Sequence, residues 1–95
     1  MADLLNPDAL HTDLNELDDW HGDTSAIHKT YDFDDFAGAI AFTNRAAQVA
    51  EGMDHHPDID IRWNKVTTTI SSHAAGGVTE QCVELARGLD GVARG

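Results

Sequence analysis

Positive charge is scarce in this 95-residue sequence, which has six lysines and arginines against seventeen aspartates and glutamates and a formal net charge of −11. A protein that binds DNA or RNA normally neutralises phosphates with lysine and arginine, and an acidic surface repels the nucleic-acid backbone. The composition therefore disfavours direct nucleic-acid binding.

Cysteine, proline and long apolar segments are also scarce. The single cysteine, Cys82, excludes an internal disulfide, and two prolines leave little room for disordered spacers. No apolar run approaches the roughly 20 residues that a membrane-spanning helix requires. The sequence also lacks the basic start and apolar core of a signal peptide, so we expect none. We expect one soluble, cytoplasmic domain over residues 1–95, with no membrane partner.

The excess of carboxylates over lysines suits a protein that works in concentrated salt. At 1 M salt the screening length falls to about 3 Å, so repulsion among surface carboxylates is strongly reduced. We hypothesise that the acidic composition is a halophilic adaptation. On this hypothesis, the melting temperature rises between dilute buffer and molar KCl.

Three segments have the apolar spacing of helices. They cover residues 7–17, 33–51 and 79–93. Asn6 is expected to cap the first helix, Asp32 the long second helix, and Thr79 the last. Gly52 is expected to stop the second helix, because glycine readily adopts the left-handed conformation that ends many helices.

Alternating apolar and polar residues predict two β-hairpins, over residues 20–33 and 57–73. Asn64 and Lys65 are expected to form the turn of the second hairpin, since asparagine tolerates left-handed backbone. The order helix, two strands, helix, two strands, helix predicts an α+β fold. It consists of a single four-stranded antiparallel sheet with three helices packed on one face.

Three of the six histidines are expected at one end of this sheet. His55 and His56 stand before Pro57 at the head of the third strand, and His73 stands at the end of the fourth. A turn at 64–65 sets His56 opposite His73, because both lie eight positions from the turn. Proline disfavours helical backbone in the residue before it, so the histidine pair lies where a helix has ended.

These histidines are part of a longer spaced pattern. Glu51 is followed by three residues, His55-His56-Pro57, five residues, an aromatic Trp63, nine residues and His73. The pattern resembles the signature of the pterin-4a-carbinolamine dehydratases, and a double histidine with an aromatic and a third histidine at these spacings is a specific combination. The resemblance runs from about Leu17 onward and includes Trp20, Tyr31, Phe33, Asn64-Lys65-Val66, Ser72 and Gly77-x-Thr79-Glu80.

The resemblance implies a hydro-lyase of tetrahydrobiopterin recycling that uses no metal and no organic cofactor. It would remove water from a 4a-hydroxytetrahydropterin (4a-carbinolamine) and yield the quinonoid dihydropterin. Hydroxide that leaves carbon 4a needs a proton donor, a ring nitrogen must lose a proton, and imidazole can serve both steps near neutrality. By the resemblance, His55 and His73 transfer the protons, and His56 positions the pterin through hydrogen bonds.

The pterin ring also needs binding groups. Trp20 is expected to flank the flat ring of the substrate. The groups expected to bind the amide-like edge of the ring are backbone atoms near Pro57, Ser72, Ala74 and Ala75.

Acidic side chains near the histidines are expected to support them. Glu51 or Asp54 would orient a histidine and raise its pKa, because a nearby carboxylate favours imidazolium. The family pattern expects a further acidic residue in the last helix, where this chain has Cys82 between Glu80 and Glu84. We interpret Cys82 as part of the helix core rather than as a nucleophile.

Two other functions remain open on the sequence. Three converging histidines could hold zinc, although adjacent residues of an extended chain point to opposite sides. The chain could also be an interaction module, because some members of this family are dimerisation partners of a transcription factor. The intact histidine set favours catalysis, and a homodimer or homotetramer built by extending the sheet is expected. His11, His21 and His28 are interpreted as solvated surface residues.

Overall fold

Helices and strands alternate in the expected order in the computed structural model of the chain, which describes residues 3–94. Its elements are α1 (Pro7–Glu16), β1 (His21–Gly22), β2 (Ile27–Asp32), α2 (Phe36–Met53), β3 (Asp58–Arg62), β4 (Lys65–Ile70) and α3 (Glu80–Ala93). The strands form an antiparallel sheet in the order β1-β2-β4-β3. The predicted α+β fold is confirmed.

The core lies between the helices and one face of the sheet. Alternate residues of β4, namely Val66, Thr68 and Ile70, are fully buried, and α2 and α3 contact β4 and each other. Phe42 of α2 and Leu85 of α3 lie in the same buried cluster. Burying an apolar side chain of this size stabilises the fold by roughly 1.5–3 kcal/mol relative to leaving it exposed.

Two helices begin at the caps that the sequence predicts. The side chain of Asn6 accepts a hydrogen bond of 2.8 Å from the backbone N–H of Ala9, and α1 follows. Thr79 is the N-cap of α3. Both predictions succeed because a cap acts within its own helical turn, so local sequence is sufficient to identify it.

The long helix α2 begins and ends later than predicted. Its N-cap is Asp35, whose side chain accepts a 2.7 Å hydrogen bond from the N–H of Gly38. Asp32, the predicted cap, is instead the last residue of β2 and forms an ion pair with Lys65. The helix also passes through Gly52, and Asp54 adopts the left-handed conformation after its end, with φ of 51°. Pairing with β4 extends β2 through Asp32, which moves the helix start.

The turn of the second hairpin lies one residue earlier than predicted. Arg62 pairs with Lys65, so Trp63 and Asn64 form the turn, and Trp63 has a φ of 55°. Hydrogen bonds hold Asn64 to Phe33, from the Asn64 side chain to the Phe33 carbonyl (2.8 Å) and from the Phe33 N–H to the Asn64 carbonyl (2.9 Å). These contacts with a distant segment place the turn, and local sequence does not contain them.

The shifted turn changes the register of β3 against β4. Asp58 pairs with Thr69, so the same register carried back along the chain sets Ser71, rather than His73, against His56. The predicted opposition of His56 and His73 is therefore wrong. Both residues still belong to the same end of the sheet.

Candidate active site

Four elements meet at the end of the sheet that carries the predicted histidines. His55 and His56 lie between α2 and β3, and His73 follows β4. The start of α3 reaches the same end, because the Gln81 side-chain amide donates a 3.4 Å hydrogen bond to the Met53 carbonyl at the end of α2. We call His55, His56 and His73 the histidine end of the molecule.

The backbone before Pro57 is irregular. Asp54 is left-handed, and its N–H is directed to the carbonyls of Ala50 and Glu51. The N–H of His55 then donates a 3.1 Å hydrogen bond to Ala50, which closes the end of the helix. This reversal sends the two neighbouring imidazoles to different partners, one on α3 and one on α2.

His55 points to the start of α3. Its Nε2 lies 3.2 Å from the Sγ of Cys82, and the residue is half-buried. Burial lowers the pKa of His55, and the charge of His56 lowers it further. A neutral imidazole in this position can accept a proton near neutral pH.

His56 points back to the last turns of α2. Its Nε2 contacts a carboxylate oxygen of Glu51. Both side chains are largely exposed, so the pair contributes little to stability. The contact orients the ring of His56. The other predicted supporting residue, Asp54, acts here through its left-handed backbone.

Ser72 builds the turn that carries His73. The Ser72 carbonyl accepts hydrogen bonds from the N–H groups of Gly76 (2.8 Å) and Gly77 (3.1 Å), and its hydroxyl accepts one from Ala75 (3.2 Å). Gly77 must lack a side chain, because a Cβ would lie 2.4 Å from the Thr24 carbonyl. Within residues 3–94 the exposed His73 ring forms no hydrogen bond or ion pair, so it is accessible to a ligand.

The remaining predicted binding residues divide into two groups. Pro57, Ala74 and Ala75 lie in the segments of the histidine end. Trp20 lies elsewhere, beside Asp90 of α3, because its indole N–H donates to both carboxylate oxygens of Asp90 at 3.1 Å. It is also only 3% exposed. Asp90 lies eight residues beyond Cys82 on α3, about 12 Å along the helix axis. A substrate contact of Trp20 stays a prediction.

Sequence reasoning placed Cys82 in the helix core and missed its contact with the histidine end. The residue is fully buried, as expected for core, but its sulfur is also the partner of the His55 ring. The signal that could identify this contact is positional, since Cys82 occupies the place where the family pattern expects an acidic residue.

The described part of the chain has no grouped metal ligands, and its surface hollows lie away from the histidine end. Among residues 3–94 no three His, Cys, Asp or Glu side chains are grouped so that they could hold a metal ion. Two surface hollows of about 310 and 240 Å³ lie elsewhere, one beside α1 and the first hairpin turn and one between the ends of α1 and α3. Neither hollow is lined by the three histidines. No helix in the described range is long and apolar enough to cross a membrane.

Known proteins with similar sequences share one description. The family model "Pterin 4 alpha carbinolamine dehydratase" matches residues 3–92. A relative from Nocardia farcinica, named "Putative pterin-4-alpha-carbinolamine dehydratase", is 45% identical over 93 residues, which cover 98% of each chain. A relative of the same name from Roseiflexus castenholzii is 44% identical over 90 residues, which cover 95% of this chain and 97% of that one.

Solved structures agree with the sequence comparisons. A transcriptional coactivator/pterin dehydratase from Brucella melitensis superimposes with a TM-score of 0.89 at 34% identity, covering 94% of this chain and 97% of that one. A pterin dehydratase-like protein identified as a RuBisCO assembly factor in the alpha-carboxysome matches with a TM-score of 0.64 at 24% identity, covering 78% and 86%, and this likeness concerns the fold alone. The chain belongs to the pterin 4 alpha carbinolamine dehydratase family.

Proposed function

We propose that this protein dehydrates 4a-hydroxytetrahydropterin to the quinonoid dihydropterin by histidine general acid/base catalysis, without a metal or an organic cofactor. The observation that carries the proposal is the half-buried His55, whose pKa is lowered, at an end of the sheet that also holds His56 and His73. Family membership supports the choice of a pterin as the substrate.

The two proton transfers divide between His55 and His73. His55 is the base, because burial favours its neutral form and a neutral imidazole accepts a proton from the pterin ring nitrogen. His73 is the acid that protonates the departing hydroxyl group. Its exposure on the turn leaves the ring free to take up a proton from solvent.

Substrate positioning falls to His56 and to the backbone of the two flanking segments. Glu51 holds the His56 ring, which leaves Nδ1 of that ring for the pterin. Backbone groups near Pro57, Ser72, Ala74 and Ala75 bind the amide-like edge of the ring. Trp20 flanks the pterin only after substrate binding rearranges its surroundings, because its side chain is buried and hydrogen-bonded to Asp90.

Dehydration of synthetic 4a-hydroxytetrahydropterin, followed by ultraviolet absorbance, tests the proposal. The wild-type protein accelerates the reaction above the spontaneous rate, and His55→Ala and His73→Ala abolish most of the acceleration. His11→Ala is the matched control, because His11 is an exposed histidine on α1, outside the proposed site. A wild-type rate equal to the spontaneous rate would refute the proposal and leave an interaction role as the alternative.

We also propose that the protein is a homodimer or homotetramer in the cytoplasm. Within the described chain β3 is an edge strand, and its unpaired backbone groups can extend the sheet into a second copy. Light scattering coupled to size-exclusion chromatography tests this assembly, and a mass of 10.3 kDa, that of one chain, would contradict it.

A further inference from the structure

The sulfur of Cys82, in the first turn of α3, lies near three polar atoms, two from Thr79 and one from His55. The backbone N–H of Thr79 donates to it at 3.4 Å, the Thr79 hydroxyl lies at 3.6 Å, and the Nε2 of His55 lies at 3.2 Å. Cys82 is fully buried and so are its contacts with Thr79, whereas its contact with the half-buried His55 is partly buried.

Two arrangements of hydrogens satisfy all three contacts, because either partner can donate between Thr79 and the thiol and between the thiol and His55. In one, the Thr79 hydroxyl donates to the sulfur and the thiol donates to Nε2 of His55. In the other, the sulfur accepts the Thr79 N–H, the thiol hydrogen is donated to the Thr79 hydroxyl oxygen, and Nε2–H of His55 donates to the sulfur. The second arrangement makes the ring N–H, rather than the weakly donating thiol, the donor between His55 and Cys82. A neutral imidazole that carries its hydrogen on Nε2 has a free lone pair on Nδ1.

We propose that Cys82 is the positioning residue of the base, because its sulfur accepts the Nε2–H of His55 and thereby makes Nδ1 the nitrogen that receives the substrate proton. The inference rests on the proposed function. In the reaction, the N–H bond of the pterin breaks as the Nδ1–H bond forms. The C4a–O bond then breaks, and the oxygen leaves as water with a proton from His73, so nothing is oxidised or reduced.

A thiol gives this base a different electrostatic setting from a carboxylate. With ordinary pKa values of about 8.5 and about 4, a thiol carries far less negative charge than a carboxylate near neutral pH. A carboxylate against the ring would favour the protonated imidazolium form of His55. With an uncharged thiol there instead, burial and the charge of His56 lower the pKa of His55 and favour its neutral form. The titratable groups in the segments of this end are Glu51, Asp54, His55, His56, Asp58, His73, Glu80 and Cys82.

Nitrogen-15 NMR of the histidine rings of the full chain tests the hydrogen bond without any activity measurement. In the wild type above pH 7, His55 carries its hydrogen on Nε2 and not on Nδ1. Cys82→Ser retains this tautomer, because a hydroxyl oxygen also accepts from Nε2, and Cys82→Ala gives a mixture of tautomers. Wild-type His55 with its hydrogen on Nδ1, or a tautomer unchanged in Cys82→Ala, would overturn the proposal.

The pH profile of kcat/KM tests the catalytic consequence. Cys82→Asp moves the acid limb upwards by about one pH unit or more, because a carboxylate stabilises the protonated ring that cannot act as a base. The matched control is Gln48→Glu, which adds the same charge on an exposed side chain of α2 and moves the limb by less than half as much.

The conservative variants separate positioning from packing. Cys82→Ala lowers kcat about three- to tenfold, the equivalent of one neutral hydrogen bond, and Cys82→Ser restores most of the loss. Equal activity of the alanine and serine variants would refute the positioning role, even if the aspartate variant fails to fold. An inactive wild type would refute the proposed function, whereas a wrong tautomer in an active wild type would refute the role of Cys82 alone.

Discussion

The two polar regions of this protein differ in how far their side chains are buried and hydrogen-bonded. The Asp90 cluster, formed by Asp90, Trp20, Lys29 and Tyr31, is enclosed: the Asp90 carboxylate accepts from the Tyr31 hydroxyl at 2.6 Å and from Lys29 at 3.0 Å, as well as from the indole of Trp20. The side chains of Asp90 and Lys29 are 14% and 12% exposed. At the histidine end, the His56 side chain is 53% exposed.

The difference separates a stabilising cluster from the site proposed for catalysis. Burial, followed by the hydrogen bond and charge of Asp90, raises the pKa of Tyr31 far above its usual range, so its hydroxyl remains a donor at any ordinary pH. The pKa of His55 is lowered, which keeps its neutral form available for the proposed proton transfer. The hydrogen bonds of the Asp90 cluster stabilise the fold, whereas the exposed imidazoles of the histidine end keep nitrogen atoms free to contact a ligand.

The largest test of this comparison removes the imidazoles that are proposed to transfer protons. His55→Ala and His73→Ala should each lower kcat/KM by about 10²–10⁴, the range for loss of a general acid or base. Melting temperatures should change by only a few degrees, because neither ring is fully buried. A large loss of stability in His73→Ala would break the comparison, since it would give the histidine end a structural role.

The second test removes the centre of the enclosed region. Asp90→Ala should destabilise the protein by about 2–4 kcal/mol, because Trp20 and Tyr31 lose their acceptor in a largely buried site and Lys29 keeps only the Asp18 carbonyl. For a domain of this size, that loss lowers the melting temperature by roughly 10–25 °C. The control is Asp60→Ala, which breaks an exposed pair with Arg62 and should cost less than about 1 kcal/mol. An equal effect of the two variants would contradict the special status of Asp90.

A smaller effect is expected at the left-handed residue that redirects the chain before the histidines. Asp54→Ala should cost about 1 kcal/mol, because a Cβ without a compensating polar group is strained at a φ of 51°. Asp54→Gly should keep or slightly raise the melting temperature, since glycine adopts this conformation without strain. If both variants melt alike, the backbone of Asp54 does not limit stability, and its carboxylate must be considered instead.

The smallest effect concerns the pH dependence of the base. Because the pKa of His55 is lowered, the acid limb of kcat/KM should lie below the ordinary histidine value of about 6.5. The same shift makes the unfolded chain bind the proton first on acidification, so the stability due to neutral His55 is present above pH 6.5 and is lost as the pH falls through its folded pKa. An acid limb above 6.5 would assign the base to another group.

Elements with local signals are predicted best. The caps at Asn6 and Thr79 and the alternation of β3 act over one turn or two residues, and the structure agrees with them. The predicted start of α2 is wrong by three residues, because β2 pairs with β4 through Asp32. The predicted turn of the second hairpin is wrong by one residue, because contacts of Asn64 with Phe33 set its position. Those contacts join residues about thirty positions apart.

The candidate site divides in the same way. Sequence spacing was sufficient to predict that His55, His56 and His73 lie at one end of a hairpin, because strand topology depends on the order of elements. The ring directions, the contact of His55 with Cys82 and the enclosure of Trp20 by Asp90 depend on how α3 packs against the rest of the chain.

By itself, the sequence determined the family, the order of helices and strands, and the set of histidines brought to one end of the sheet. Each of these follows from spacing along the chain, through helical and strand periodicity. Only the tertiary structure decided which of the polar residues hold the fold and which are left accessible to a ligand. That division depends on burial and on hydrogen-bond partners from distant segments, which arise only when α3 closes over the sheet.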